Sequence, residues 1–228
     1  MKKSKQRIVV KVGTSTLTHD SGALDLRSME RLVRTLADLQ GAGNEVILVT
    51  SGAIAVGTAK LGLAERPREL RMKQAAAAVG QCRMMHIYDK LFSEYNRTVA
   101  QILLTGDDVD DPDRAEHLSG TFSALLEMGT IPIVNENDSV SSAEIETGHH
   151  KVLGDNDTLS AIVAKLCRAD LLVLLSDIDG LYDADPRSHP DARLIHQVRE
   201  LTPQILEMAG GAGSWRGPGG MATKVSAA

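Results

Sequence analysis

The sequence predicts an α/β protein with a largely parallel central sheet. Short apolar runs with strand character alternate with stretches in which apolar residues recur every three or four positions, the pattern of successive strand–helix–strand units. Hydrophobic residues make up 43% of the 228 and charged residues 24%, the balance of a globular chain with material for a sizeable core. Aromatics are only 3%, so aliphatic side chains are expected to build that core.

The first strand is expected over Arg7 to Val12 and the second over Glu45 to Thr50. Between them Met29, Leu32, Val33, Leu36 and Leu39 form a helical stripe that ends before Gly41 and Gly43, completing one βαβ unit. A second helical region runs from about Glu69 to Tyr95, and its run Ala75 to Ala78 favours close packing. Thr98 to Leu104 follows as a strand, Asp111 to Met128 as a helix, and Ile131 to Val134 as a short buried strand that opens on Asn135-Glu136-Asn137-Asp138. Asn156 to Leu166 has helical spacing, and Leu171 to Leu175 is an almost unbroken apolar strand leading into Ser176, Asp177 and Asp179. Residues 182–192 make a surface loop rich in Asp and Pro, and Ala209 to Gly220 is the most glycine-dense stretch.

Composition excludes several classes of function. A formal charge of −5 argues against a surface that neutralises many nucleic-acid phosphates. No apolar stretch approaches the roughly 20 residues that cross a bilayer, and Lys11 cuts the only N-terminal apolar run, so neither a membrane span nor a signal peptide is expected and the chain is placed in the cytoplasm. Cys82 and Cys167 lack metal or disulfide spacing and are expected to be reduced, packed thiols.

In open α/β sheets ligands bind outside the carboxyl ends of the strands, where the small, polar and acidic residues recur here. Gly13-Thr14-Ser15-Thr16 follows the first strand and offers backbone N–H groups and hydroxyls to an anion, or is simply a structural turn. Lys11 interrupts that strand. It needs an anionic partner, such as a ligand phosphate, if buried, and none if it lies on a wet face. Thr50-Ser51-Gly52-Ala53 repeats the design one unit later, with a helix beginning near Ala53 aimed at the same crevice. Asp155-Asn156-Asp157 precedes a helix, and capping accounts for two of the three. Gly219-Gly220-Met221-Ala222-Thr223-Lys224 reads either as a flexible loop delivering one Lys to a terminal phosphate or as a linker. His149 and His150 stand without carboxylates at ligand spacing and read as loop residues, and no side chains are assigned to a metal.

Taken in order, KVGTSTLT (Lys11 to Thr18), VTSGAIAVG (Val49 to Gly57), NENDSV (Asn135 to Val140), GDNDTLSA (Gly154 to Ala161), LLSDIDGLYDADP (Leu174 to Pro186) and GGMATK (Gly219 to Lys224) resemble the glutamate 5-kinase branch of the amino acid kinase family. The resemblance runs nearly end to end. It implies a three-layer sandwich with helices on both faces of the sheet, a glutamate-binding lobe at about 1–165 and a nucleotide-binding lobe at about 166–228. It also implies ATP- and Mg²⁺-dependent phosphorylation of the γ-carboxylate of L-glutamate, the first step toward proline. Proline as feedback inhibitor and a homo-oligomer, dimer or tetramer, come with it.

Residue by residue, the resemblance gives catalytic roles to Lys11, Lys224 and Asp157, the last orienting the two lysines. It gives glutamate binding to Ser51, Gly52, Ala53, Asp138 and Asn156. Nucleotide binding falls to Lys11, Gly13, Thr14, Ser15, Ser176 and Asp177, and to Pro218 through Lys224 (Gly219, Gly220, Met221, Ala222, Thr223). A carboxylate nucleophile with a pKa of about 4.3 is already ionised at neutral pH, so such chemistry needs no general base, only charge neutralisation in line with the reacting atoms.

Three features depart from the family pattern. Pro218 stands where the family has Thr, removing a hydroxyl and a backbone donor beside the expected phosphate path. Glu146 to Lys151 reads as an insertion between two site motifs. The chain ends four residues after Lys224, where family members continue through further helix and strand, and many add a C-terminal RNA-binding-like domain. These departures support an alternative expectation, a non-catalytic homologue or inactive fragment that binds glutamate or proline without turning over ATP.

Overall fold

The computed structural model describes residues 5–19, 21–140, 156–210 and 220–228. Pro218 and Gly219, His149 and His150, the segment Glu146 to Lys151, and Gly154 and Asp155 lie outside the described residues.

Among the described residues, five strands form one parallel sheet: β1 (Arg7–Lys11), β2 (Glu45–Val49), β3 (Val99–Leu104), β4 (Ile131–Glu136) and β5 (Leu171–Leu174), in the order β3-β4-β2-β1-β5. The register places Lys11 opposite Val49 on one side and Leu174 on the other, and Val49 opposite Val134. The carboxyl ends of β1, β2, β4 and β5 are therefore level, and the turns leaving them share one edge.

Side chains alternate across the sheet, and both faces are covered, as a three-layer sandwich requires. On one face Ile8, Val10, Val46, Leu48, Ile131 and Ile133 pack against α2 (Leu26–Gly41) and α4 (Leu70–Ser93), through Met29, Val33, Leu36, Met84, Tyr88 and Phe92. On the other face Val9, Ile47, Val49, Ile102 and Val134 meet α6 (Pro112–Glu127) and α7 (Asn156–Leu166), through Phe122, Leu126, Leu159 and Val163. Each fully buried aliphatic contributes about 1.5–3 kcal/mol, so the two layers together can carry several buried polar groups at the sheet edge. The core is mainly aliphatic as expected, yet Tyr88, Phe92 and Phe122 are its largest fully buried side chains.

The helix α3 (Ala53–Lys60) lies against α4 at backbone contact distance. A Cβ on Gly57 would sit 1.7 Å from the Ala76 carbonyl oxygen, and one on Gly80 would sit 1.8 Å from that of Ala53. The close packing expected of the alanine run thus depends on two glycines as well. The remaining described helices are α1 (Thr14–Leu17), α5 (Gly106–Asp110), α8 (Pro203–Gly210) and α9 (Met221–Ala227).

Four expectations are corrected. The apolar run at β5 is an edge strand with Leu171 45% exposed, because only β1 pairs with it among the described strands. Strand β4 continues through Asn135 and Glu136, since its ladder with β3 extends to Leu104 opposite Glu136. Both cysteines are free, but Cys82 is exposed on α4 and only Cys167 is packed. Met221 to Lys224, read as the end of a flexible loop or a linker, form the first turn of α9. No helix among the described residues is long and apolar enough to cross a membrane.

Candidate active site

Lys11 is the last residue of β1 and is 6% exposed. Alternation along the strand puts it on the same face as Val9, the face covered by α7, so the possibility of a wet face is set aside. A buried ammonium is costly without a counter-ion, and the first turn of α7 supplies one: Lys11 Nζ stands 2.6 Å from Asp157 Oδ1. The other carboxylate oxygen, Oδ2, accepts from Lys224 Nζ at 3.1 Å. It also lies 3.0 Å from Thr223 Oγ1, whose proton is shared with the Gly220 carbonyl at 2.7 Å.

Asp157 is fully buried and holds two lysines with one carboxylate. Burial pushes its carboxyl up, but hydrogen bonding and charge from Lys11, then Lys224, outweigh that and hold it below the ordinary value. Two ammonium groups meet one carboxylate beside the N-terminus of an eleven-residue helix, whose dipole favours negative charge there. Such an arrangement can bind an anion, with Asp157 spacing the two ammonium groups. Capping does not account for Asp157, because both of its oxygens face lysines.

The next layer is neutral. Gly52 caps α3 with φ +100°, and a Cβ there would meet Thr14 Cγ2 at 2.8 Å, so the turn needs glycine for both its conformation and its closeness to Thr14. The Thr14 hydroxyl lies 3.1 Å from the Ser51 hydroxyl, which ties the turn after β1 to the turn after β2. Asn156 Nδ2 donates to the Thr50 carbonyl at 3.1 Å, tying the start of α7 to β2. Thr50 is itself buried, its hydroxyl 3.1 Å from that of Tyr88.

Asp138, two residues beyond β4, is half-buried. Burial, then the Glu136 carboxylate, raise its carboxyl to about 6, while Arg66 opposes the rise. Ser176 and Asp177 follow β5 on the far side of β1. Asp177 is exposed and paired with Arg187 at 2.8 Å. Among the described residues, then, Lys11, Asp157, Thr223 and Lys224 form one connected cluster, and Thr14, Ser51, Thr50 and Asn156 form a second. Gly13 is half-buried and Ser15 exposed in the turn after β1, Ala53 starts α3, and Gly220, Met221 and Ala222 lead into Thr223. Among the described residues no hydrogen bond or ion pair joins Ser176, Asp177 or Asp138 to either cluster.

Sequence reasoning assigned no role to three buried polar residues at this sheet edge. Tyr88, Gln81 and Asn135 are buried polar residues, with Asn135 Nδ2 donating to Gln81 Oε1 at 3.0 Å. Gln81 and Tyr88 are seven apart on α4, so both lie on its buried stripe. A polar residue repeating at the spacing of an apolar stripe is the signal that would have found them.

An α/β sandwich with paired lysines bridged by an aspartate at the strand ends is suited to binding an anionic group. The chain belongs to the amino acid kinase family, whose model matches residues 6–228. It is 54% identical over 226 residues to the glutamate 5-kinase of Clostridium perfringens (strain 13 / Type A), covering 99% of this chain and 83% of that one. It is also 54% identical over 222 residues to the glutamate 5-kinase of Caldanaerobacter subterraneus subsp. tengcongensis, covering 97% of this chain and 58% of the relative. The fold is shared with a carbamate kinase from Giardia lamblia bound to AMP-PNP at TM-score 0.63 and 16% identity, over 100% of this chain and 88% of that one. A UMP kinase from Ureaplasma parvum aligns at TM-score 0.57 and 14% identity, over 91% of this chain and 86% of that one.

Proposed function

We propose that this chain transfers the terminal phosphoryl group of ATP to the γ-carboxylate of L-glutamate, forming L-glutamyl 5-phosphate at the head of proline biosynthesis. The observation that carries the reading is the buried Lys11–Asp157–Lys224 cluster at the sheet edge, supported by identity above 50% to glutamate 5-kinases over almost the whole chain.

A γ-carboxylate oxygen attacks the terminal phosphorus, the bond from that phosphorus to the bridging oxygen breaks, and ADP leaves with the electron pair. No proton moves, so no side chain need act as a base, and none in the cluster is poised as one. Lys11 and Lys224 neutralise the oxygens of the transferring group from two directions. Asp157 fixes the separation of the two ammonium groups. Gly13, Thr14 and Ser15 offer N–H groups and hydroxyls on the nucleotide side, together with Ser176, Asp177 and the segment Pro218 to Thr223. Ser51, Gly52, Ala53, Asp138 and Asn156 hold the glutamate, Asp138 as counter-ion to its ammonium group.

Among the described residues no group of three or more His, Cys, Asp or Glu could hold a metal ion. A magnesium ion, when bound with the nucleotide, would shield the phosphate charges during transfer. On this reading the glutamate lobe spans about 1–165 and the nucleotide lobe about 166–228, in a cytoplasmic homo-oligomer inhibited by proline.

The test is a hydroxylamine trap: protein, ATP, Mg²⁺, L-glutamate and hydroxylamine should yield the γ-hydroxamate, with ADP formed in equal amount. Glutamate or proline binding by calorimetry with no hydroxamate from well-folded protein would favour the non-catalytic homologue instead.

A further inference from the structure

The face of the sheet opposite Lys11 carries a polar pair that the proposed chemistry does not use. Asn135 is 2% exposed on β4 and Gln81 is 7% exposed on α4, and they are joined by the Asn135 Nδ2 to Gln81 Oε1 hydrogen bond at 3.0 Å. The other end of the Gln81 amide, Nε2, is buried and has no hydrogen-bond partner among the described residues. Leaving a buried amide donor unmet costs free energy comparable to a lost hydrogen bond, and such groups are rare in native cores. The neighbouring Tyr88 shows the contrast, since its hydroxyl is met by Thr50.

The place of this orphan donor is well defined. Gly80 sits at backbone contact distance from Ala53, the first residue of α3, so Gln81 stands next to the turn Ser51-Gly52-Ala53. Its partner Asn135 lies at the carboxyl end of β4, three residues before Asp138 and beside β2, whose continuation Thr50 donates its N–H to the Val134 carbonyl at 2.9 Å. The donor thus belongs to the same sheet edge as the glutamate-side residues. It lies on the α3–α4 face, whereas Lys11, Asp157 and Lys224 lie on the α7 face.

We propose that Gln81 Nε2 is a substrate-recognition donor that binds the α-carboxylate of the amino-acid substrate. This rests on the glutamate-kinase reading above and adds a residue to it. A dicarboxylate substrate has two ends, and the end that receives the phosphoryl group must meet the lysine cluster. The other end then falls toward the opposite face of the sheet, where the unmet Nε2 donor can meet a carboxylate oxygen without adding another cation near the phosphates. Asn135 holds Gln81 Oε1, which fixes the amide so that Nε2 is the free end.

The decisive variant is Gln81→Glu, which keeps the oxygen that accepts from Asn135 and replaces only the free donor by an acceptor. The expected result is a rise of about tenfold or more in KM for L-glutamate, the loss of a hydrogen bond to a charged group, with KM for ATP unchanged. The defect should shrink as pH is lowered, because a neutral carboxyl regains a donor. Gln81→Met, which leaves Asn135 unmet as well, should raise the glutamate KM at every pH. Thermal melts that match wild type separate this from misfolding. If the variant is poorly folded, calorimetric titration of wild type with L-glutamate and with its α-amide replaces it, and equal affinity overturns the proposal. An unchanged or lowered glutamate KM in Gln81→Glu also overturns it, the lowered value pointing instead to an oxygen facing the substrate ammonium. Wild-type protein with no glutamate-dependent ATP turnover would overturn the kinase reading and this inference with it.

Discussion

Lys11 and Asn135 stand at the ends of two parallel strands in one sheet, both more than nine-tenths buried, and their surroundings differ in kind. Lys11 belongs to an ionic cluster in which one carboxylate spaces two ammonium groups. Asn135 belongs to a neutral layer of amide and hydroxyl pairs reaching from α4 to the strand ends. Charge concentrated on one face and hydrogen bonding on the other suit a reaction in which a highly charged group moves and a small zwitterion must be recognised. The ionic side can stabilise developing charge strongly in a dry site, while the neutral side discriminates by geometry at little electrostatic cost.

That contrast breaks first at the lysines. Lys224→Ala should lower turnover by a factor of about 100 or more while the fold survives, because Lys224 sits on the last described helix and is partly exposed. Asp157→Asn should lose turnover and also about 3 kcal/mol of stability, because it strips from buried Lys11 its one counter-ion among the described residues. Stopped-flow turnover and urea melts of the two variants side by side separate catalysis from folding. Equal stability losses in both would erase the distinction between spacer and clamp.

Next in size is a pH effect at Asp138, two residues beyond β4. Asp138 titrates at about 6, raised by burial and then by Glu136, so its charge costs stability above that pH and protonation relieves the cost as pH falls toward the ordinary value of 3.8. Asp157 is held low, so its contribution is intact above 3.8 and is lost only as pH falls below it. Wild type should therefore gain stability between about pH 6 and 4 before acid denaturation begins. The glutamate KM should rise about tenfold per unit of pH below 6, as the counter-ion for the ammonium group is protonated. Asp138→Asn should flatten both curves, and a KM that still tracks pH in this variant would place the titrating group elsewhere. The smallest expected effect belongs to Tyr88→Phe, which removes one buried hydroxyl pair with Thr50. It should cost about 1 kcal/mol in a thermal melt with turnover little changed.

Much of the architecture was legible along the chain. The stripe Met29 to Leu39, the helix from Asn156, and the strand cores Ile8 to Val10 and Val46 to Val49 follow directly from periodicity. The edge position of β5 was not legible, because an apolar run has the same appearance whether one or two strands flank it. Nor was the helical state of Met221 to Lys224, where flanking glycines masked a turn that docks through Thr223 and Lys224 on Asp157. The site divides similarly. The turns after β1 and β2 announce themselves by glycine and hydroxyl residues, but Gln81 and Tyr88 are hidden in an apolar stripe and become meaningful only when their partners are located.

The sequence alone determined the alternation of strands and helices, the motifs at the strand ends and the family to which they point. Period-two alternation says that neighbours such as Val10 and Lys11 face opposite ways, but not which helix covers each face. Only the tertiary structure decided that α7 lies over Lys11 and brings Asp157 to it, and that α4 lies over Asn135 and brings Gln81. The reason is physical: a buried charge or amide is tolerable only where its partner stands, and here those partners come from distant segments that crossover connections carry to one edge of the sheet.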